Sequence, residues 1–317
     1  MNLRLPPLAL HAALGVLMIA VLAALAGCGE DTSQVDFSRH EPPAAEAIAP
    51  SPSSGTLRMA IAPVLSPLAT SYRYHQLADY LTEKLGEEVE LVQGKTYAEI
   101  NDLVKSGDAT LALVCTNPYL EGREEFGMEL LVAPQIDGDT AYYSFLIAGQ
   151  DVQAESLADL RGVTFAFTDP LSNTGRLVPL YQLALMGESP DSFFSRAIFT
   201  YAHDSSIRAV AEGVVDAAAV DSVVFNYLRV TEPGLISKVK VIESWGPFGI
   251  YPFVVNPRLD PQLKAQLRQA FLEMHADPEG EDILRDLNVD RFVVPDDSIY
   301  DSVRKMRDYL REHGLAP

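Results

Sequence analysis

The sequence predicts an α/β protein of two lobes, each a mostly parallel sheet flanked by helices. Three observations lead there. Short apolar strand-like runs alternate with amphipathic helical stretches, the pattern of βαβ units. The chain has 317 residues and 48% hydrophobic content, enough for two cores of ordinary domain size. Two distant segments, Gly107 to Thr116 and Gly213 to Ser222, echo each other as helix stop, apolar strand and polar pair. Ligands of open α/β sheets bind beyond the carboxyl ends of the strands. Cys115-Thr116 and Asp221-Ser222 are therefore expected at matching positions facing one cleft, unless the echo is coincidence between two βαβ units.

The N-terminus is not expected in the fold. Arg4 precedes an apolar run from Leu8 to Leu25, which reads as a secretory signal. The run ends in Leu25-Ala26-Gly27-Cys28, which resembles a bacterial lipobox with Cys28 as the lipidated residue. The alternatives are a plain signal peptide or a membrane helix. Residues 1–27 are thus read as signal. Residues 28–56, rich in Pro, Ala, Ser and Glu, are read as a tether from a lipid anchor on the extracytoplasmic face. With Cys28 lipidated, Cys115 stands alone and no disulfide is expected. The net charge of −20 argues against nucleic acid or an anionic membrane surface as partner. It also means that an anion must be captured by local dipoles against an unfavourable global field.

Along the fold, Leu57 to Ala62 is a strand, Tyr72 to Leu85 a helix ended by Gly86, and Val89 to Val92 a strand. Tyr97 to Ser106 is a helix with Ile100, Leu103 and Val104 inward, and Thr110 to Val114 a buried strand. Ala141 to Ala148 is a strand rich in aromatics. Leu157 to Gly162 is a short helical turn before the strand Val163 to Phe167. Ala197 to Tyr201 and Ala217 to Val220 are strands around a helix, Ser205 to Glu212, and another helix starts at Ser222. Lys238 to Ser244 and Tyr251 to Val255 are strands. Pro261 to His275 and Asp297 to His313 are amphipathic helices that close the chain, with the Asp296-Asp297 pair as a cap.

The most informative stretch is Asp169-Pro170-Leu171-Ser172-Asn173-Thr174-Gly175-Arg176-Leu177-Val178-Pro179, where a strand turns into a helix. The first helical turn has backbone N–H groups with no internal partner and partial positive charge, so it can hold a tetrahedral oxyanion without arginine or lysine. The same residues would also serve as an ordinary cap and turn. Pro179 either kinks a helix capped by Thr174 or marks a regular helix that starts nearer Leu177.

Taken in order, these segments resemble the phosphate/phosphite/phosphonate-binding periplasmic components of ABC importers, from about Leu57 to Tyr309. The pieces that carry the resemblance are Leu157-Ala158-Asp159-Leu160-Arg161-Gly162, Phe165-Ala166-Phe167, Asp169-Pro170, Ser172-Asn173-Thr174-Gly175 and Leu177-Val178-Pro179. Tyr97, Tyr119, His203-Asp204-Ser205, Asp216 to Ser222 and Tyr251-Pro252 support it. The resemblance implies a type II periplasmic-binding fold with a two-strand hinge near Tyr142 to Ala148 and Ile250 to Val255. Lobe 1 would be 57–143 and 250–317, and lobe 2 would be 144–249. It implies a ligand clamped between the lobes, delivery to a membrane permease, no catalysis, and a monomer. Ser172, Asn173 and Thr174 match the loop that holds the phosphorus oxyanion. Tyr97 matches a tyrosine reaching across from the other lobe. His203 and Asp221 match cleft residues of the second lobe, and Asp221 is a candidate partner for the ammonium of an aminoalkyl phosphonate. Two positions depart from the family: Asn173 stands where Thr or Ser is common, and Arg176 where an aromatic residue is common.

Other residues carry weaker signals. Tyr119, after Asn117-Pro118, is read as a cleft wall or a loop contact, and Thr116 as a cleft residue on lobe 1. Tyr72, Tyr74 and His75 belong either to a cleft loop or to helix packing. Arg176 is read as facing solvent, and Cys115 as a buried small residue. His203 alone could be a capping histidine; as a ligand it would bring pH dependence near neutrality. No GxSxG, HExxH or Walker motif is present, and the histidines show no zinc spacing, so no catalytic residue, cofactor or metal is expected. Two alternative functions remain at this level: a ligand-sensing lipoprotein docking on a receptor kinase, and a binding protein for a sulfonate or other organic anion.

Overall fold

The computed structural model describes residues 56–315. The signal, Cys28 and the tether up to residue 55 lie outside the described residues. Eleven strands form two sheets among the described residues. The first joins β1 (Thr56–Ile61), β2 (Glu88–Gln93), β3 (Leu111–Leu113), β4 (Glu129–Gln135), β10 (Phe253–Val255) and β11 (Arg291–Val293) in the order β11-β4-β10-β3-β1-β2. The second joins β5 (Ala141–Gly149), β6 (Thr164–Phe167), β7 (Arg196–Phe199), β8 (Ala217–Asp221) and β9 (Val239–Gly249) in the order β7-β6-β8-β5-β9. As expected, β1 runs parallel to β2 and β3, and β6 runs parallel to β7 and β8. The strands next to the crossings, β10 and β5, run antiparallel to their neighbours.

The chain passes between the sheets twice, from β4 to β5 and from β9 to β10. The two crossings touch, the Ile250 N–H donating to Thr140 O at 2.9 Å. Each sheet buries a continuous apolar layer, with Met59, Leu111 and Phe253 on one side of the hinge and Leu146, Phe165 and Ala218 on the other.

Local chemistry explains where the helices begin. Thr96 caps Tyr97–Ser106, its Oγ1 accepting from Glu99 N at 3.2 Å, and Gly107 ends that helix at φ +89°. Asp221 caps Ser222–Thr231, its Oδ1 accepting from Val223 N at 2.6 Å and Val224 N at 3.2 Å. Cys115 occupies the corresponding cap position of Thr116–Phe126. The echo between residues 107–116 and 213–222 is therefore structural: in each, a buried strand ends at the cap of a helix. The Pro179 question also resolves. Asn173–Leu177 is a single π-helical turn, and the regular helix Val178–Leu185 follows, with Pro179 in its first turn where a missing N–H costs nothing.

The helices Thr116–Phe126 and Pro278–Leu287, the short helices Pro190–Phe193 and Pro233–Ile236, and the strands β4 and β11 were not anticipated. The helix expected from Tyr72 begins at Pro67, the one expected from Ser205 begins at His203, and β9 continues to Gly249. The last helix, Asp301–Glu312, touches both halves. Its Arg307 donates to Asn117 Oδ1, and its Tyr309 packs edge-on against Tyr181 with ring centroids 5.2 Å apart.

Candidate functional site

The carboxyl ends of β3, β6 and β8 meet between the two sheets. Contacts cross at several points. The Tyr97 N–H donates to Asp169 Oδ2 at 3.2 Å, and Asn117 Nδ2 donates to Leu171 O at 2.9 Å. The His203 N–H donates to Val64 O at 3.1 Å, and the Ser66 N–H to Asp204 Oδ1 at 2.9 Å. The cleft is closed, and Tyr97, Ser172, Asn173, Thr174 and His203 are fully buried in it.

The loop after β6 is held from several sides. Ser172 Oγ accepts from Gly175 N at 3.0 Å, so this hydroxyl is the cap of the π-turn. Ser144 Oγ donates to Thr174 O at 2.7 Å, and Asn173 Nδ2 donates to Tyr142 OH at 2.9 Å. The Thr168 N–H donates to Gly175 O at 3.1 Å. A Cβ on Gly175 would lie 2.3 Å from Thr168 Oγ1 and 2.5 Å from Thr168 Cβ, so glycine is required by close approach.

Four polar atoms in this region are buried without a hydrogen-bond partner in the protein: Tyr97 OH, Asn173 Oδ1, Thr174 Oγ1 and His203 Nε2. Native interiors rarely leave such atoms alone, and each unmet group costs about 1–3 kcal/mol. They come from both lobes, Tyr97 from the first and the other three from the second. Burial raises the Tyr97 hydroxyl well above its ordinary range, and that hydroxyl also feels Cys115, Asp169, Asp221 and Tyr251. Three of the four can donate as they stand. Asn173 Oδ1 is the acceptor of the four, fixed so because Asn173 Nδ2 donates to Tyr142 OH, whose own proton goes to Thr116 Oγ1. It suits a protonated ligand oxygen.

His203 donates in one specific form. A backbone N–H can only donate, and that of Asp221 meets His203 Nδ1 at 3.1 Å. Nδ1 is therefore the bare nitrogen and Nε2 carries the proton. Burial lowers the His203 pKa to about 3, so the ring is a neutral donor. The pH dependence expected from His203 near neutrality is thereby corrected. Asp221 is the group poised there instead: burial raises it to about 7, against the helix-capping hydrogen bonds from Val224 and Val223, which lower it. An uncharged Asp221 would not repel an anion.

Thr116 and Tyr119 lie apart from the unpartnered group, as does Arg176. Thr116 Oγ1 donates to Gly249 O at 2.7 Å and meets Tyr142 OH at 3.2 Å, so its hydroxyl ties the hinge. Tyr119 OH donates to Asp297 Oδ1 at 2.6 Å and accepts from Arg123 at 2.7 Å, in a network under the last helix and outside the group of unpartnered atoms. Arg176 donates to Pro170 O at 2.9 Å and lies 5.8 Å from the Phe199 ring centroid, away from that group. Cys115 is buried between the lobes, and burial pushes its thiol up to about 11, consistent with an inert residue.

Sequence reasoning missed Thr168, Asp169, Tyr142 and Ser144 as positioning residues. Asp169 alone was signalled, by its place in the Asp-Pro turn. Tyr142 and Ser144 sit in β5 and Thr168 directly follows β6, so strand pairing is needed to see what they face. Among the described residues no group of three or more His, Cys, Asp or Glu side chains is arranged to hold a metal ion. No described helix is long and apolar enough to cross a membrane.

Comparison with known proteins gives this geometry a context. Residues 59–300 match the family of ABC transporter, phosphonate, periplasmic substrate-binding proteins. The phosphonates-binding periplasmic protein of Escherichia coli is 24% identical over 240 residues, 74% of this chain and 71% of that protein. In fold, the chain is similar to a binding protein component of an ABC phosphonate transporter from Pseudomonas aeruginosa. That match has a TM-score of 0.78 and 24% identity and covers 83% of this chain and 88% of that one. It is also similar to a Prochlorococcus marinus protein solved in complex with methylphosphonate, with a TM-score of 0.75 and 19% identity, covering 81% and 99%.

Proposed function

Because the chain belongs to the family of periplasmic substrate-binding proteins of ABC phosphonate transporters, we propose that it clamps a phosphorus oxyanion, a phosphonate, phosphite or phosphate, between its two lobes. In this reading it is a monomeric lipoprotein, anchored through Cys28, that delivers the ligand to a membrane permease and catalyses nothing. The observation that carries the reading is the set of four buried, unpartnered polar atoms contributed by both lobes. Tyr97 OH, Thr174 Oγ1 and His203 Nε2–H can each donate to an oxygen of the anion. Asn173 adds a fourth contact through its amide.

Such a site suits an oxyanion for two reasons. The donors are neutral, so their desolvation in the empty site is milder than for an arginine or lysine. They are also preorganised by the Ser172 cap, the Ser144 and Tyr142 hydrogen bonds and the Asp221 N–H. Both lobes touch one ligand only when closed, so binding favours the closed form by that differential contact.

The test is calorimetric titration of the chain from Gly29 onward with phosphite, methylphosphonate, 2-aminoethylphosphonate, phosphate and sulfate, beside Tyr97→Phe. Micromolar or tighter binding of a phosphorus oxyanion, weakened about tenfold or more in the variant by loss of one donor to a charged group, is the expected result. No heat with any of the five from folded protein would overturn the proposal.

A further inference from the structure

A mostly apolar space lies near the polar site, and Tyr251 in its wall is among the groups felt by the Tyr97 hydroxyl. Val64, Leu65, Tyr74, Val223, Tyr227 and Tyr251 line much of a cavity of about 60 Å³ between the lobes. Three of its walls are bonded to the polar site. Val64 O accepts from the His203 N–H at 3.1 Å. The Val223 and Val224 N–H groups hold Asp221 Oδ1. The Tyr251 ring packs edge-on against Tyr142, centroids 5.7 Å apart, and the Tyr142 hydroxyl holds Asn173. The outer edge is closed by a contact across the lobes. The Arg73 guanidinium lies 4.4 Å from the Tyr227 ring centroid, and its Nη2 donates to the Tyr227 hydroxyl at 2.8 Å. None of the residues lining the space is a carboxylate.

We propose that this cavity seats the ligand's substituent, and that the chain selects phosphonates with a small uncharged carbon group over aminoalkyl phosphonates. The proposal rests on the oxyanion reading above and adds a substrate class to it. The cavity exceeds several-fold the roughly 10–15 Å³ that one water requires, so an ethyl- or propyl-sized group has room. Each methylene moved from water into such a wall improves binding about three- to fourfold. An ammonium placed there would lose its hydration with no counter-charge on the walls and with the Arg73 cation at the mouth. Asp221, beside the cavity on the anion side, has Oδ1 committed to its helix, and burial favours its neutral form.

The experiment is a calorimetric series with phosphite and methyl-, ethyl-, propyl- and 2-aminoethylphosphonate. Affinity should rise about threefold or more per carbon from methyl to propyl, and aminoethylphosphonate should bind at least tenfold more weakly than propylphosphonate. Val223→Phe, at a half-exposed position, should cost propylphosphonate more than tenfold and methylphosphonate less than threefold. Arg73→Ala, a surface-side variant with little risk to folding, should weaken propylphosphonate more than methylphosphonate. Affinity that is flat or falls with chain length, or aminoethylphosphonate binding as tightly as propylphosphonate, overturns this proposal while leaving the oxyanion site standing. Failure of every ligand including phosphite, with folded protein, overturns the oxyanion reading and this one with it.

Discussion

The backbone N–H of Asp221 donates to Nδ1 of His203 at 3.1 Å, and this one bond sets the chemistry of the histidine. It places the proton on Nε2, the ring atom without a protein partner. NMR of the two ring nitrogens should therefore show the Nε2–H tautomer and a neutral ring from about pH 5 to pH 8, consistent with a pKa lowered to about 3 by burial. His203→Phe should lower oxyanion affinity about tenfold to a hundredfold through loss of a donor to a charged group. A histidine that charges near pH 6.5 in the free protein would contradict the assignment.

Asp221 predicts the pH dependence. Its folded pKa is raised to about 7, mainly by burial. The sign follows: relative to an exposed aspartate, the stability it contributes is full below the unfolded pKa of about 4 and is lost as pH rises through about 7. Thermal midpoints should fall over that window in the wild type and fall less in Asp221→Asn, which keeps the cap. Oxyanion affinity should also fall as pH rises through about 7 in the wild type, and more shallowly in Asp221→Asn with the same ligand. Parallel pH profiles for the two proteins would exclude Asp221 as the titrating group.

Gly175→Ala should cost about 1–3 kcal/mol in urea unfolding by overpacking against Thr168. It should also weaken ligand binding, because Thr174 is the next residue. The closest obstructing atoms, Oγ1 and Cβ, belong to the Thr168 side chain, so Thr168→Gly combined with Gly175→Ala should recover part of the stability. Strict additivity of the two changes would show that no such contact exists.

Trp245 should report closure. It pairs with Ser144 across β5 and β9, and Ser144 Oγ is bonded to Thr174 O in the loop after β6. As the single tryptophan, it makes intrinsic fluorescence a site-specific probe. With a net charge of −20, the protein repels an incoming anion, so the association rate read by stopped-flow fluorescence should rise with salt between about 10 mM and 150 mM. A rate that falls with salt would mean a local positive field dominates.

The sequence made the cradle readable because its signals are local. A strand, a polar turn and Pro179 within eleven residues mark a helix start, and the structure has the turn and helix there. The helix-opening positions of Tyr97 and His203 were legible for the same reason. The partners of Tyr119 and Thr116 were not legible, because their hydroxyls meet Asp297 and Gly249 O, 178 and 133 residues away. Strand β4 was overlooked because Pro134 interrupts it; its partners β10 and β11 lie more than a hundred residues on. The neutral state of His203 was not legible at all, since it depends on burial and on one backbone N–H at the end of β8.

The four unpartnered atoms have a consequence for an empty receptor. At ~1 kcal/mol each, they disfavour closing without a ligand by about 4 kcal/mol, close to a thousandfold, and water trapped in the cleft restores part of that. Occupancy is thereby translated into shape. A permease that docks only on the closed outline would seldom meet a vacant one, and few rounds of ATP hydrolysis would run without cargo. The same discomfort that makes the pocket hungry for an anion makes the protein a faithful messenger of having found one.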